Sequence, residues 1–151
     1  MDHCNNLGYL LNKAARMTKW DLNNALADEG ITSTQFGLIK DIYFNEKRCI
    51  DEEEKLQRLT PAAIAERLNS DRPTISCMIE RLVKQNLAYR ISNPKDRRSQ
   101  IILLTDKAKE IMPMLEFLGD KTMEKAIKGF DEHEEALLKL FLTRIIENLS
   151  S

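Results

Sequence analysis

The chain has 151 residues, of which 42% are hydrophobic and 31% charged, so it is long enough to bury one core and too apolar for global disorder. Its 23 Lys and Arg residues nearly balance 24 Asp and Glu residues, and the net charge of -1 argues against a simple polycationic nucleic-acid binder. Five Gly and four Pro disfavour an all-β sandwich and a glycine-rich phosphate loop.

The cysteines and the hydropathy pattern predict where the protein resides. Cys4, Cys49 and Cys77 are sparse, far apart and odd in number, which fits a reducing compartment better than a disulfide framework. No apolar run approaches the roughly 18 residues of a membrane span, and the N-terminal residues lack the basic and apolar regions of a signal peptide. We therefore expect a cytoplasmic protein.

Two amphipathic helices are predicted at the start of the chain. Apolar residues recur at helical spacing over 7–28, and Gly30 then supplies a C-terminal cap. Thr32 with Gln35 three residues later forms a capping box that opens the second helix. The apolar stripe of that second helix consists of Phe36, Ile39, Ile42 and Tyr43.

A charged stretch over residues 45–59 follows, with almost no periodicity, and is predicted to be an insertion, a helix extension or a mobile loop. Thr60 then caps a short helix that has Pro61 at its first position. A tight turn at 69–71 places Asp71 as the N-cap of a helix over 72–85. That helix has the clearest pattern in the chain, an apolar stripe of Ile75, Met78, Ile79, Leu82 and Val83.

Two short β-prone runs at 87–91 and 100–104 predict a hairpin, with the polar residues 92–99 as its turn. Thr105 caps a long helix to about residue 128, which Pro113 should kink and Gly119 should weaken. A capping box at Asp131 opens the last helix. The fold class is therefore mainly α with a small β-hairpin wing (α+β), containing a helix-turn-helix followed by that wing.

The charge is distributed unevenly along the chain. Residues 60–110 hold ten Lys or Arg and six Asp or Glu, a net of +4, whereas 1–59 carry -2 and 111–151 carry -3. A positive helix-turn-helix lobe with negative arms is the polarity expected of a module that faces phosphate with one surface.

The sequence of the hairpin and of the helix before it resembles the MarR family of winged-helix transcriptional regulators. The family's wing signature, Asp-x-Arg-(Ser/Ala) with a later Leu-Thr that opens a long helix, is matched by Asp96, Arg98 and Ser99 and by Leu104-Thr105. The helix-turn-helix segments 64–68, 71–76 and 79–82 are also similar. Departures are the longer 45–59 stretch, Cys77 in place of a polar or basic residue, and Ala108 where Gly is common.

The resemblance implies three parts. These are an N-terminal dimerisation helix (1–31), a winged helix-turn-helix DNA-binding lobe (32–110, with 45–59 as a charged insertion) and C-terminal dimerisation helices (111–151). It implies a homodimer that binds double-stranded DNA at a pseudo-palindromic operator, acting as a repressor.

The residues expected to contact DNA lie on the recognition helix and the wing. The opening turn of the helix offers donors, acceptors and a free N-terminus, while a basic wing tip suits the narrow minor groove. In the family, the arginine that matches Arg98 enters that groove and the aspartate that matches Asp96 holds it. The full set is Arg72, Pro73, Thr74, Ser76, Cys77, Arg81, Lys84, Arg90, Lys95, Asp96, Arg97 and Arg98.

Many family members bind a small aromatic or anionic effector between arm and lobe. Lys13, Arg16, Met17 and Trp20 share one helical face here and could hold an aromatic carboxylate. The alternative is a surface basic pair beside an interface tryptophan. A thiol-based redox switch is a second option: the matching position for the family's peroxide-sensing cysteine is Gly8, with Cys4 nearby, and Cys77 would face the groove.

Two other classes of protein compete with a DNA-binding regulator. An enzyme is not expected, because His3 and His133 have no metal-ligand partner at useful spacing and no nucleophile has a nearby base. No cofactor, metal or membrane partner is expected. A winged helix that only binds proteins is the better rival, although it would not need the basic residues Lys95, Arg97 and Arg98 together.

Overall fold

The computed structural model describes residues 2–150 and confirms a mainly helical fold with one two-stranded antiparallel hairpin. Short 3-10 turns at His3–Asn5 and Ala27–Glu29 flank the first helix. The elements in chain order are α1 (Leu7–Leu26), α2 (Ser33–Arg48), α3 (Glu52–Arg58), α4 (Pro61–Arg67), α5 (Arg72–Lys84), β1 (Ala88–Asn93), β2 (Asp96–Leu104), α6 (Asp106–Ala126) and α7 (Glu132–Leu149).

The predicted caps set the boundary between α1 and α2. Gly30 ends the first segment with φ of 69°, a left-handed conformation that glycine adopts without strain. Thr32 Oγ1 accepts from the Gln35 N–H at 3.1 Å, and Gln35 Oε1 accepts from the Thr32 N–H at 3.0 Å. The capping box read from the sequence is therefore present, and it fixes the direction in which α2 enters the core.

The charged stretch 45–59 is folded and is not an irregular loop. Helix α2 continues to Arg48, and the separate helix α3 begins after Asp51, whose carboxylate accepts from the Glu54 N–H at 2.9 Å. Leu59 is fully buried, and its carbonyl accepts from the Ile102 N–H of β2 at 2.9 Å. The stretch thus combines a short helix extension with an inserted helix tied to the base of the hairpin.

The hairpin is longer than its sequence predicts. The strands run to Asn93 and from Asp96, so the prediction that 92–99 forms the turn is wrong and only 94–95 turn. The pairing has Ser92 opposite Gln100 and Asn93 opposite Asp96, with a bulge between them. Polar residues of low β-propensity therefore belong to the strands, because pairing with the opposite strand outweighs their weak intrinsic preference for other conformations.

The core lies where α2, α4, α5, the hairpin and the first half of α6 meet. Its largest fully buried side chains include Ile39, Ile64, Ile79, Ile102 and Met112. Helix α6 is continuous through Pro113 to Ala126, two residues short of the predicted end. Each of these elements contributes one apolar face, which leaves the opposite faces of α5 and the hairpin in solvent.

The arms bury far less than the lobe. Helix α7 has no buried residue, and only Leu26 is buried in α1. Large apolar side chains are instead exposed along α1, α6 and α7, among them Leu7, Met17, Phe117, Phe141 and Ile146. Within residues 2–150, no helix is both long and apolar enough to cross a membrane.

Candidate nucleic-acid interface

The face of α5 opposite its core stripe carries all seven candidates predicted on this helix. Ile75, Ile79 and Leu82 are buried, which fixes the rotation of the helix. Asp71 accepts from the Thr74 N–H at 2.8 Å, and this bond holds the pKa of Asp71 below its usual value. The exposed candidates are Arg72, Pro73, Thr74, Ser76, Cys77, Arg81 and Lys84.

The wing presents a second basic group on the same lobe. Lys95 lies in the turn, Arg90 is on β1, and Arg97 and Arg98 are on β2, all exposed. The two arginines lie between the pairs Asn93–Asp96 and Ser92–Gln100, so they occupy the irregular part of the hairpin, where β1 supplies no partner for them. The paired residues on either side anchor this segment at both ends, and a bulge of this kind changes the direction in which its side chains project.

Asp96 organises the local geometry of Arg98. Asp96 Oδ1 accepts from the Arg98 N–H at 3.0 Å and lies 3.5 Å from Arg98 Nε. The Arg98 side chain is nonetheless 94% exposed. An exposed guanidinium with one side near a carboxylate keeps its remaining donors free for acceptors outside the chain.

Sequence reasoning missed the acidic neighbour of the wing. Glu53 of the inserted helix α3 lies 3.6 Å from Lys95, with both side chains largely in solvent. Such an exposed pair contributes little to stability. It does place part of the acidic helix α3 beside the basic wing. The charge pattern of 45–59 is aperiodic, so the sequence did not predict which surface of the lobe this stretch would contact.

A cavity of about 640 Å³ between α1 and α6 brings together Lys13, Arg16, Met17 and Trp20. Residues that the sequence did not single out complete its lining, including Tyr9, Asp21, Thr122 and Lys125. The cavity thus combines two aromatic rings and a thioether with several cations. This combination can accommodate a flat apolar body that carries a negative group.

Asp21 closes one wall of this cavity by joining the two helices. Its carboxylate accepts from Lys125 Nζ at 2.7 Å and from Thr122 Oγ1 at 2.9 Å. These two hydrogen bonds, the lysine bond first, hold the pKa of Asp21 below its usual value of 3.8. Lys125 is therefore already paired, whereas Lys13 contacts the Tyr9 hydroxyl at 3.3 Å.

The three cysteines have different surroundings. Cys4 and Cys77 are exposed, whereas Cys49 is partly buried at the end of α2 and lies near Glu54. Burial first, and then the Glu54 carboxylate, raises the pKa of the Cys49 thiol, which disfavours its reactive thiolate form. Among residues 2–150, no three His, Cys, Asp or Glu side chains are grouped to hold a metal ion.

The part of the chain that contains α5 and most of the hairpin matches a known family. The model of the MarR family matches residues 48–100, from the end of α2 through α3, α4 and α5 into β2. The match covers about a third of the chain, and it is the part that carries α5 and the wing. Members of the matched family are transcriptional regulators and not enzymes, which supports the expectation of a non-enzymatic protein.

Similar proteins agree with this match. The chain is 26% identical over 86 residues to YybA of Bacillus subtilis, an uncharacterised HTH-type transcriptional regulator; the match spans 57% of each chain. A mutant MarR from E. coli complexed with operator DNA superposes with a TM-score of 0.80 at 26% identity, covering 96% of this chain and 99% of the other. MepR of S. aureus, solved as a DNA complex, shares the fold, with a TM-score of 0.82, 22% identity and coverage of 95% and 98%.

Proposed function

We propose that this protein is a sequence-specific regulator of the MarR type that binds double-stranded DNA as a homodimer and represses transcription. The observation that carries the proposal is the pairing, on one lobe, of an exposed polar and basic face of α5 with an exposed basic wing. The lobe has a net charge of +4 over 60–110, so the attraction to phosphate is concentrated there although the whole chain is slightly acidic.

The two basic groups suit different grooves of B-form DNA. The N-terminal turn of α5, with Arg72, Thr74 and Ser76, is suited to base edges and phosphates in the major groove. Arg98 is suited to the narrow minor groove, where the negative potential is strongest, and Asp96 would hold its backbone and Nε in place. The E. coli MarR that shares this fold was solved with operator DNA, which supports the same use of this lobe.

The homodimer part of the proposal depends on the arms. Helix α7 buries none of its residues within the described chain, although Leu140, Phe141, Ile146 and Leu149 are large and apolar. Exposed apolar side chains also follow α1 and α6. A second copy would cover these faces by two-fold symmetry and place two recognition helices about 34 Å apart, one turn of DNA.

Release by a small effector is the remaining part of the proposal. The cavity between α1 and α6 offers Trp20 and Met17 for an apolar ring, with Lys13 and Arg16 for a carboxylate. Both helices belong to the proposed dimer arms, from which the two lobes project. A ligand between them would therefore change the position of the arms and, with it, the position of the lobes. We propose an aromatic carboxylate as the effector class and the cytoplasm as the site of action.

Selection of bound sequences from a random DNA pool tests the function. We expect an enriched pseudo-palindrome whose half-sites are one helical turn apart. Enrichment of a single half-site would contradict the dimeric binding mode, and no enrichment over the input pool would contradict sequence-specific DNA binding and favour a protein-binding winged helix. A lobe variant that lacks Arg72 and Arg98 is the control, because it should lose the enrichment without losing the fold.

A further inference from the structure

We infer that Gln85 is a positioning residue that fixes the recognition helix α5 relative to the arm helix α1, and thereby selects the half-site spacing of the operator. The inference rests on the proposed DNA-binding function and adds a residue outside the groove-facing surface. Gln85 directly follows α5 as its C-cap, at the end opposite the turn proposed to enter the major groove.

The side chain of Gln85 bridges two parts of the arm junction. Gln85 Nε2 donates to the carbonyl of Gly30 at 3.0 Å, and Gln85 Oε1 accepts from Gln35 Nε2 at 3.0 Å. Gly30 and Gln35 are 55 and 50 residues away in sequence, so the contacts join distant segments. A glutamine amide carries both a donor and an acceptor, so this one side chain makes both bonds at once.

The partner Gln35 is itself immobilised. It is only 8% exposed, and its Oε1 accepts from the Thr32 N–H at 3.0 Å as part of the capping box of α2. Gly30 is exposed, but it holds the left-handed conformation that ends the α1 segment, and its N–H donates to the Ala27 carbonyl at 3.1 Å. Gln85 therefore contacts one buried side chain and one hydrogen-bonded turn of the α1–α2 junction.

Further hydrogen bonds attach the same junction to the other arm helices. The Ser33 N–H donates to Asn23 Oδ1 of α1 at 2.6 Å. On the α6 side, Lys107 Nζ donates to the Gln85 carbonyl at 3.1 Å and Thr105 Oγ1 donates to the Asn86 carbonyl at 2.8 Å. The C-terminal end of α5 is thus bonded to the start of α6 directly and to α1 through the α1–α2 junction.

This arrangement has a geometric consequence for a dimer. Helices α1 and α6 carry the exposed apolar residues proposed to face the second copy, so the dimer fixes the arms relative to each other. The bonds of Gln85 then fix α5 relative to the arms. Rotation of a lobe that changes the separation of the two recognition helices would have to break or rearrange these bonds.

Gln85→Glu is the most specific test variant, because the substitution keeps the side-chain length but removes the donor to the Gly30 carbonyl. Gln85→Ala removes both bonds without adding charge. If the two variants behave alike, the effect is due to the lost hydrogen bonds and not to the added charge. Gln57→Glu, at an exposed position of α3, is the charge-matched control. Circular dichroism and thermal unfolding establish that each variant is folded.

The first readout needs no DNA. Pulsed electron–electron double resonance measures the distance between α5 and α1. One nitroxide label is attached to Cys77 and the other to a cysteine introduced by Lys19→Cys, and Cys4→Ser and Cys49→Ser remove the other two thiols. Mixing with excess unlabelled protein isolates the distance within one chain. We expect a narrow distribution for wild type and Gln57→Glu, and a broader or displaced one for both Gln85 variants.

The second readout compares operators whose half-site spacing is changed by one base pair in either direction. We expect the Gln85 variants to lose about three- to tenfold of the preference for the natural spacing, since Gln85→Glu removes one hydrogen bond per protomer and Gln85→Ala removes two. A loss of affinity that is equal for all spacings would indicate a merely structural role and overturn the inference.

The two proposals fail in distinguishable ways. If the wild-type chain binds no DNA, the proposed function fails, while the label distances still decide whether Gln85 holds α5 against the arm. If the Gln85 variants keep both the narrow wild-type distribution and the wild-type spacing preference, the inference about Gln85 is wrong and the proposed function stands.

Discussion

A methyl group added at Gly119 of α6 would lie 3.0 Å from Cε2 of Phe36 in α2. The missing side chain at Gly119 therefore lets the Phe36 ring, which is only 3% exposed, pack closely against α6. The expectation that Gly119 weakens α6 considers only helix propensity. The contact supplies a packing reason for a glycine inside this helix.

We expect Gly119→Ala to reduce the free energy of unfolding by about 1 kcal/mol or more, because overpacking at Phe36 outweighs the gain in helix propensity. Gly37→Ala is the matched control, since nothing lies within 4 Å of the added methyl in α2. This control should stabilise the protein by roughly 0.5–1 kcal/mol. Denaturant unfolding measures both, and equal stabilisation by the two substitutions would contradict the close contact.

For the wing, we expect Arg98→Ala to weaken operator binding by about 1–3 kcal/mol and to leave the protein folded. The reason is the loss of an exposed guanidinium that lies beside Asp96 at the wing tip. Fluorescence anisotropy at several salt concentrations measures the affinity and its salt slope. Arg48→Ala removes the same charge from an exposed position at the end of α2, and a loss as large as that of Arg98→Ala would show a general charge effect.

In the arms, Phe141→Glu should convert the proposed dimer to monomers at micromolar concentration. Phe141 is 49% exposed on a helix with no buried residue, and two symmetry-related copies would lose their contacts together. Burial of one such side chain is worth about 1.5–3 kcal/mol, so we expect a dissociation constant at least about 100-fold higher. Sedimentation measures this shift, with Thr143→Glu as the control; a monomeric wild type would contradict the dimer.

The cavity between α1 and α6 gives a prediction about effector binding. We expect salicylate-like compounds to bind wild type and to bind Arg16→Ala about tenfold more weakly, because the carboxylate loses its guanidinium partner. Isothermal titration and quenching of Trp20 fluorescence measure this, and Lys19→Ala, outside the cavity lining, is the control. Absence of binding to both wild type and Arg16→Ala would refute the effector proposal.

Asp21 gives a prediction about pH. Its pKa is lowered in the folded chain by Lys125 and Thr122, so its stabilising effect is present above the ordinary value of 3.8 and is lost as the pH falls through the lower folded value. We therefore expect Asp21→Asn to be less stable than wild type at neutral pH, with the difference shrinking in acid. Unfolding at a series of pH values measures this.

The exposed residue Asp120 supplies the control for that experiment. Asp120→Asn removes the same charge from α6 without touching the hydrogen bonds of Asp21. If Asp120→Asn loses as much stability at neutral pH as Asp21→Asn, then net charge and not the α1–α6 contact is responsible.

Much of the fold, and the exposed faces that make up the candidate interface, could be predicted from the sequence because the interactions responsible are local. The Thr32 capping box, the Asp71 N-cap and the apolar stripe of α5 act within a few residues, so their positions follow directly from spacing. The exposed faces of α5 and the wing then follow, because burying one side of a helix leaves the other in solvent. The concentration of positive charge over 60–110 is likewise visible without coordinates.

Only the tertiary structure decided the contacts between distant segments. The strands extend through polar residues because the ladder pairs Ser92 with Gln100. Thr122 meets Asp21 across 101 residues, and Gln85 meets Gly30 across 55. Such contacts depend on how helices pack against one another, and neither the periodicity nor the propensity of a single segment specifies which residues of two segments will face each other.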